Sequence, residues 1–448
     1  MTGKFFRSLS PLKILVLGFL VMILVGTFFL SLPISTESGR SLSFLDALFT
    51  STSAVCVTGL VVVDTATTFS RFGESVIMVL MQLGGLGFMT FGVLYAILTG
   101  RKIGIKERLV LQQSFNQGQL QGIVRLTLIV FVTTLITEVL GIILLAIRWV
   151  PELGWGEGLF NALFHSISAF NNAGFDLFGY DTPFSSLTKY AQDPLINLTI
   201  TGLFLIGGIG FVVIMDLLQY PKRRRLSLTT KLVLTAYGVL VVLGVLLVLL
   251  IEWSNPKTLA SLSWLEKIVA SFFQGLTPRS AGFSTLPIAD MYPATQFILI
   301  MLMFIGAGPS STGGGIKITT FVIVFLAVLS MIRGKGDVVS FRRRIPHEQV
   351  YRALTIFAVF LTIIVLVTII FTITERTDLM TAMFEAVSAA GTSGLSLGLT
   401  PELTPFGKIV ATIAMFAGRL GPLTLAFAIA QRESKELIRY PEEKTLTV

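Results

Sequence analysis

An all-α polytopic membrane protein is the fold class this sequence predicts, and three observations predict it. The first is composition: of 448 residues, 53% are hydrophobic and 13% charged, with a mean hydropathy of +0.82. Soluble domains carry about 25% charged residues, so this chain cannot build a solvated surface. That excludes a soluble enzyme, a disordered chain and a secreted disulfide scaffold; a lone cysteine, Cys56, also rules out any intrachain disulfide. The second observation is a series of eight apolar segments, each supplying at least the ~20 residues a spanning helix needs. The third is an internal repeat that falls between them.

The segments run, in order, over 13–32, 73–99, 123–148, 195–219, 228–251, 295–332, 350–373 and 406–430. Lys4, Arg7 and Lys13 precede the apolar run of the first, from about Ile14 to Leu32, which is long enough to span and is followed by no small-residue cleavage site, so it reads as a span and not as a signal peptide. Charge alternates between the loops. One side of the membrane collects those three residues, then Arg101, Lys102, Lys106 and Arg108, then Lys222, Arg223, Arg224, Arg225 and Lys231. Arg333, Lys335, Arg342, Arg343, Arg344 and Arg352 follow, and the tail adds Arg432, Lys435, Arg439 and Lys444. By the positive-inside rule this side is cytoplasmic, with both termini inside. The same charges serve as topogenic anchors or as docking points for a cytoplasmic partner. The net charge of +9 therefore reads as membrane topology and not as nucleic-acid binding.

Each outer connection contains one copy of a fourteen-residue pattern, aligned without a gap: Ala47–Leu60, Ala162–Phe175, Ala270–Phe283 and Ala382–Leu395. Every copy begins with Ala, has Phe third or fourth, and ends in Gly followed by Leu or Phe. The apolar part is enough for about 12 helical residues, ~18 Å, which enters the bilayer without crossing its ~30 Å core. The chain must return in non-helical form, which survives at that depth only inside protein or along a water-filled cavity. Four copies predict four re-entrant loops around one axis. The strands Val57-Thr58-Gly59, Asn172-Ala173-Gly174, Ser280-Ala281-Gly282 and Thr392-Ser393-Gly394 would offer carbonyl oxygens to a shared lumen, at the negative ends of the half-helices. Carbonyl rings replace a cation's hydration shell in potassium-selective filters. Tight turns are the blander reading of the glycines.

The sixth segment is nearly twice a bilayer thickness if helical. Its excess lies in Gly306, Ala307, Gly308, Pro309, Ser310, Ser311, Thr312, Gly313, Gly314 and Gly315, a run that cannot hold a continuous helix. A loop there, beneath a filter, is placed to gate, with a structural kink as the alternative. Corresponding second helices carry Gly84-Gly85-Leu86-Gly87, Gly207-Gly208-Ile209-Gly210 and Gly418-Arg419-Leu420-Gly421, small residues suited to close packing. Arg419 replaces a small residue at membrane depth, where a charge is costly; it would hold the gate loop through carbonyls or oppose cation flow. Lys317 belongs to the gate or snorkels to the cytoplasmic interface. Glu138 is a packed hydrogen-bonded group or part of an ion path. His165 and Glu385 take orienting hydrogen bonds, and Cys56 packs. Asp64, Asp176, Asp290 and Glu402 follow the filter segments, either concentrating cations at the outer mouth or as solvated loop charges.

These motifs together resemble the Trk/Ktr/HKT superfamily of potassium transporters over essentially the whole chain, in particular the membrane subunit of bacterial Ktr systems. The resemblance implies four tandem helix–pore-loop–helix units around one pseudo-fourfold pore, with eight spanning helices. Their expected limits are 1–100, 101–222, 223–347 (with the broken second helix and gate loop) and 348–448. It implies that Gly59, Gly174, Gly282 and Gly394 are the filter glycines; Ser at the first marks sodium-favouring plant members, so four glycines favour potassium. It assigns Arg419 and the 306–315 loop to the gate. It further implies a homodimer in membrane lipid, served by a separate cytoplasmic ring of nucleotide-binding subunits that take ATP, ADP or NAD. The chain itself needs no cofactor; potassium is the ion carried at the filter residues, with sodium as activator left open. A sodium-permeable or sodium-coupled transporter of the same fold is the first alternative. An integral membrane enzyme is remote, since His165 and His347 are the only histidines and no nucleophile–base or metal-ligand spacing is visible. An ion sensor that passes no ions is a minor third.

Overall fold

A computed structural model describes residues 10–99, 103–114, 122–180, 182–421 and 424; Lys4, Arg7, Arg101, Lys102, most of 422–430 and the basic tail residues Arg432–Lys444 lie outside them. The first stretch comprises α1 (Pro11–Leu30), α2 (Phe44–Val55), α3 (Arg71–Leu86) and α4 (Phe88–Leu98). After α5 (Ile105–Ser114) come α6 (Ile123–Leu153), α7 (Trp155–Phe170), α8 (Pro194–Ile209) and α9 (Phe211–Arg223). The third comprises α10 (Leu228–Glu252), α11 (Trp264–Leu276), α12 (Pro293–Phe304) and α13 (Ile318–Ile332). A two-stranded hairpin, β1 (Val339–Ser340) with β2 (Arg343–Arg344), leads to α14 (His347–Thr374), α15 (Leu379–Gly391) and α16 (Pro405–Leu420).

α1, α6, α10 and α14 are long and apolar enough to cross a bilayer. Their outward faces stay apolar and exposed, with Leu20, Leu24 and Phe28 on α1, Leu135 and Leu140 on α6, Val242 and Leu250 on α10, and Leu366 and Ile373 on α14. Such a surface is stable only against lipid. The chain is therefore a multi-pass membrane protein. Each long helix is followed by a short one, α2, α7, α11 or α15, of 12 to 16 residues. Three of these start on a side-chain cap, from Ser43, Ser263 and Asp378, which satisfies an orphan N–H at the helix start.

The second helices start from anchors on the first. Glu252, in the last turn of α10, accepts hydrogen bonds from the Tyr292 N–H (2.9 Å) and the Thr295 hydroxyl (2.5 Å). Glu375, just beyond α14, accepts from the Thr404 N–H at 2.7 Å. Asp193 caps α8 and pairs with Arg148 of α6 at 2.7 Å.

The second helices also depart from expectation. Continuous spans over 73–99 and 195–219 are each two helices, bent 85° at Gly87 and 91° at Gly210. These glycines have φ of +79° and +102°, which ends the hydrogen-bond ladder and which L side chains rarely tolerate. α16 ends the same way at Gly421, φ +82°, and α12 and α13 are parted by the loop 305–317. Three of the second helices thus break, and the fourth ends at its last glycine, with most of the residues that follow outside the described ones. The glycine runs do two jobs: the last glycine turns the chain, while the first packs. A Cβ on Gly84 would strike the Val55 carbonyl, one on Gly207 the Phe170 carbonyl, and one on Gly418 the Ala390 carbonyl.

The core is shared around the axis. Phe49, Ile77 and Met81 pack in one cluster with Phe371, Ala386 and Met415 of the last stretch and with Phe164 and Phe175 of the second. Trp149, Phe170 and Phe204 join Phe273 and Phe283, and Val248, Leu299 and Met303 join Phe360 and Phe384. First and last stretches close on each other through the Lys408–Asp46 ion pair at 2.6 Å.

The glycine contacts are testable. Gly84→Val is expected to lower the thermal unfolding midpoint in detergent by several degrees or more, because the helix must leave the Val55 carbonyl. Gly238→Val, at a position with nothing within 4 Å of a Cβ, is the control and is expected to stay near the parent. Equal midpoints for the two would contradict the packing.

Candidate functional site

Each short helix ends in the interior, and one to four residues later the chain makes the same backbone excursion. Val57 and Gly59 have φ of +50° and +88°, Asn172 and Gly174 +58° and +72°, Ser280 and Gly282 +66° and +79°, and Thr392 and Gly394 +50° and +85°. Alternating positive and negative φ turns successive peptide planes so that their oxygens face one way. Backbone bonds return each strand to its helix: Thr58 N–H to Ser53 O, Ala173 N–H to Ser168 O, Ala281 N–H to Thr277 O and Ser393 N–H to Ser388 O, at 2.8–3.0 Å.

The four strands close a ring. A Cβ built on Gly59 would stand 2.6 Å from the Ala173 oxygen; on Gly174, 3.0 Å from that of Ala281; on Gly282, 3.0 Å from that of Ser393; and on Gly394 it would overlap that of Thr58. Strand one neighbours two, two neighbours three, three neighbours four, and four neighbours one. All twelve residues expected at the filter are therefore brought together, and only glycine fits the crowded position. On one side lies a cavity of about 460 Å³ lined by all four glycines and by Asp176. On the other lies one of about 170 Å³ lined by Gly85, Gly87, Ser310, Gly313, Lys317 and Arg419.

Side chains brace the strands from behind. The Ser53 hydroxyl accepts from the Gly59 N–H at 3.1 Å, Ser168 donates to Phe175 O at 2.8 Å, and Thr277 donates to Phe283 O. Sequence reasoning missed these, although Ser stands seventh in three of the four copies. The half-helices also hold the returning loops. His165 accepts from the Leu177 N–H at 3.3 Å, Gln274 from the Ser284 hydroxyl at 3.2 Å, and Glu385 from the Leu397 N–H at 3.0 Å and the Thr400 hydroxyl at 2.7 Å. The orienting role expected of His165 and Glu385 is what these bonds perform. Glu138 accepts from Gln82 (3.2 Å) and from Asn171 (3.3 Å), and so ties α3, α6 and the base of the second strand. Cys56 is fully buried and packs.

The loop 306–315 lies directly against the ring, on the side of the smaller cavity. A Cβ on Gly313 would meet Ser280 at 3.1 Å, and one on Gly314 would meet Thr392. Gly308 N–H donates to Gly208 O at 2.8 Å, Gly306 N–H to Ile316 O at 2.9 Å, and Gly315 N–H to Gly418 O at 3.3 Å. Thr312 reaches Phe170 O at 3.1 Å and Asn172 at 2.7 Å. Ser310 O accepts from the Phe211 N–H at 3.0 Å, Ser311 donates to Gly308 O at 2.7 Å, and Pro309 O faces Gly210. The Lys317 ammonium turns back to Gly313 O at 2.6 Å and does not snorkel. Arg419 donates to Thr312 O, Gly84 O and Gly85 O. A mid-membrane arginine costs roughly 3 kcal/mol on insertion scales, while charge-assisted hydrogen bonds return roughly 1.5–3 kcal/mol each, so three carbonyls suffice to hold it.

The four acids after the filter segments part company. Asp64 accepts from Thr67 N–H and Phe184 N–H, Asp290 pairs with Lys257 at 2.8 Å, and Glu402 is exposed. Only Asp176 of the four lines the larger cavity. Burial pushes its carboxyl up to about 7, against the Phe178 N–H and with help from nearby Asp64.

The chain is similar to known cation transport proteins. The sequence profile of the TrkH family, described as cation transport protein, matches residues 4–440. The Ktr system potassium uptake protein B of Bacillus subtilis is 45% identical over 438 residues, covering 98% of this chain and 97% of that protein. The protein of the same name from Vibrio alginolyticus is 40% identical, covering 97% and 94%. The potassium/sodium uptake protein NtpJ of Enterococcus hirae is 35% identical, covering 98% of each. The crystal structure of the potassium transporter TrkH from Vibrio parahaemolyticus shares the fold, with a TM-score of 0.70 at 20% identity over 92% of this chain and 84% of that one.

The brace around Asn171 yields a prediction. Glu138→Ala removes the acceptor of the Gln82 amide and one of the three acceptors of Asn171, and is expected to cost ~1–3 kcal/mol, read as a lower thermal midpoint. Glu138→Gln, which keeps an acceptor, is expected to lose less. Equal losses would show that hydrogen bonding is not what Glu138 supplies.

Proposed function

The chain belongs to the TrkH family of cation transport proteins, and we propose that it takes up potassium through a gated, channel-like path whose selectivity filter is the closed ring of four strands. One observation carries the proposal: four stretches of chain bring Thr58, Ala173, Ala281 and Ser393 carbonyls and the four following glycines into one ring between two cavities. Carbonyl dipoles at fixed spacing substitute for a cation's water shell, and the names of the Bacillus and Vibrio relatives support potassium as that cation. The family is one of transport, so the enzyme reading falls away.

The loop 306–315 is the gate in this account. It lies under the ring, is buried, and hangs from Arg419 and from the glycine carbonyls of α8, so release of a few hydrogen bonds would clear the path. The basic loops, including Lys222–Arg225 and Arg342–Arg344, are read as cytoplasmic, with both termini on that side. Two relatives are named as proteins of a Ktr system, which supports a separate regulatory partner; a homodimer under a nucleotide-binding cytoplasmic ring completes the reading. Sodium permeation or coupling is the second reading, favoured by the potassium/sodium name of the Enterococcus relative and by the unequal strand sequences.

Three measurements test this. Gly174→Ser places a Cβ against Gly282 and is expected to cut the preference for potassium over sodium about tenfold, the equivalent of ~1.4 kcal/mol; an unchanged preference would remove the filter assignment. Deleting 313–315 is expected to raise flux, and unchanged flux would reduce the loop to a kink. Because its pKa is raised to about 7, Asp176 is a carboxylate only above that pH. Uptake at limiting potassium is therefore expected to climb as pH rises through 7 and to lose that climb in Asp176→Asn.

A further inference from the structure

The tenth position of each repeat sits at the base of a filter strand. It is occupied by Cys56, Asn171, Arg279 and Gly391. Three of these are neutral; the fourth is a guanidinium with 2% exposure. Neither of its terminal nitrogens has a hydrogen-bond partner, and among the described residues no carboxylate forms an ion pair with it. Its one favourable contact is the face of Tyr237 on α10, 3.8 Å from the ring centroid. One cation–π contact returns less than the desolvation of an unpaired guanidinium costs. A neutral side chain of similar length would pack there at lower cost, so packing gives no reason for the charge.

We propose that Arg279 is a specificity-determining residue, a fixed positive charge behind the third filter strand that weakens cation binding in the ring and excludes divalent cations. The inference rests on the reading of the ring as a filter. Arg279 is three residues from Gly282, at most ~10 Å of chain, and its side chain adds roughly 6 Å, so the guanidinium lies within about 16 Å of the ring. Within that distance and at an effective dielectric near 20, one unit charge lowers the affinity of a monovalent cation about tenfold, and that of a divalent cation about a hundredfold, since the energy scales with ion charge. The ring's oxygens alone would favour a divalent ion of potassium's size, such as barium, over potassium itself. The charge behind one strand reverses that order without narrowing the lumen. Tyr237 is the positioning residue: its ring fixes the guanidinium plane, and its hydroxyl reaches Gly208, where a Cβ would stand 2.9 Å away.

The test is barium block of rubidium uptake into liposomes that carry the full-length purified chain. Arg279→Gln is expected to tighten barium block about a hundredfold and to lower the half-saturating potassium concentration about tenfold, with the preference for potassium over sodium retained. Arg279→Lys, which keeps the charge, is expected to stay close to the parent. Unchanged barium block in Arg279→Gln, or equal shifts in both variants, would overturn the proposal in favour of a steric role. Should Arg279→Gln not assemble, the parent protein decides: barium blocking at concentrations below those at which potassium competes would overturn it. Failure of the filter reading itself shows separately, as sodium and potassium passing equally in the parent.

Discussion

Backbone at the middle of a bilayer must find its hydrogen-bond partners within the protein, and the rest of this structure depends on that constraint. Four helices stop half-way, and four strands return without helical bonds. Every one of those strands is tied to its own helix through backbone bonds and, in three cases, a hydroxyl from Ser53, Ser168 or Thr277. Once satisfied on the outside, the strands have spare oxygens only toward the axis. Oxygens of Thr58, Ala173, Ala281 and Ser393 stand against the glycine of the adjoining strand, and the glycines are required where neighbouring strands come closest.

The same constraint explains the broken second helices. Gly84, Gly207 and Gly418 press helix backbone onto the carbonyls that end α2, α7 and α15. Helices packed that closely cannot continue straight beneath a ring that another loop must underlie, so Gly87, Gly210 and Gly421 turn the chain aside. In the third stretch the turn is expanded into the loop itself, held by Gly208 and Gly207 carbonyls on one side and by Arg419 on the other. The four stretches are alike enough to close a ring and differ at single features: one loop, one Arg419, one Arg279.

Much of this was legible in the sequence. Four gapless repeats announced the half-helices, the returning strands and the glycines, because spacing along the chain maps directly onto repeated local structure. The ten-residue run 306–315 announced a break, since no helix holds so many glycines. The bends at Gly87 and Gly210 were not legible: average hydropathy over 73–99 or 195–219 stays high whether or not one glycine adopts positive φ. Contacts between stretches were equally hidden. Nothing local says that Asn172 meets Thr312, that Arg419 reaches Gly84, or that Asp176 faces the larger cavity while Asp64 turns to Phe184. Those depend on how the four stretches are arranged around the axis.

The most direct test of the central claim is competition between ions in liposomes that carry this chain alone, with rubidium uptake followed against added potassium and sodium. A ring of glycine-permitted carbonyls acting as a potassium filter predicts that potassium competes at far lower concentration than sodium. Equal competition by the two ions would contradict a selective filter, whatever the chain's other resemblances.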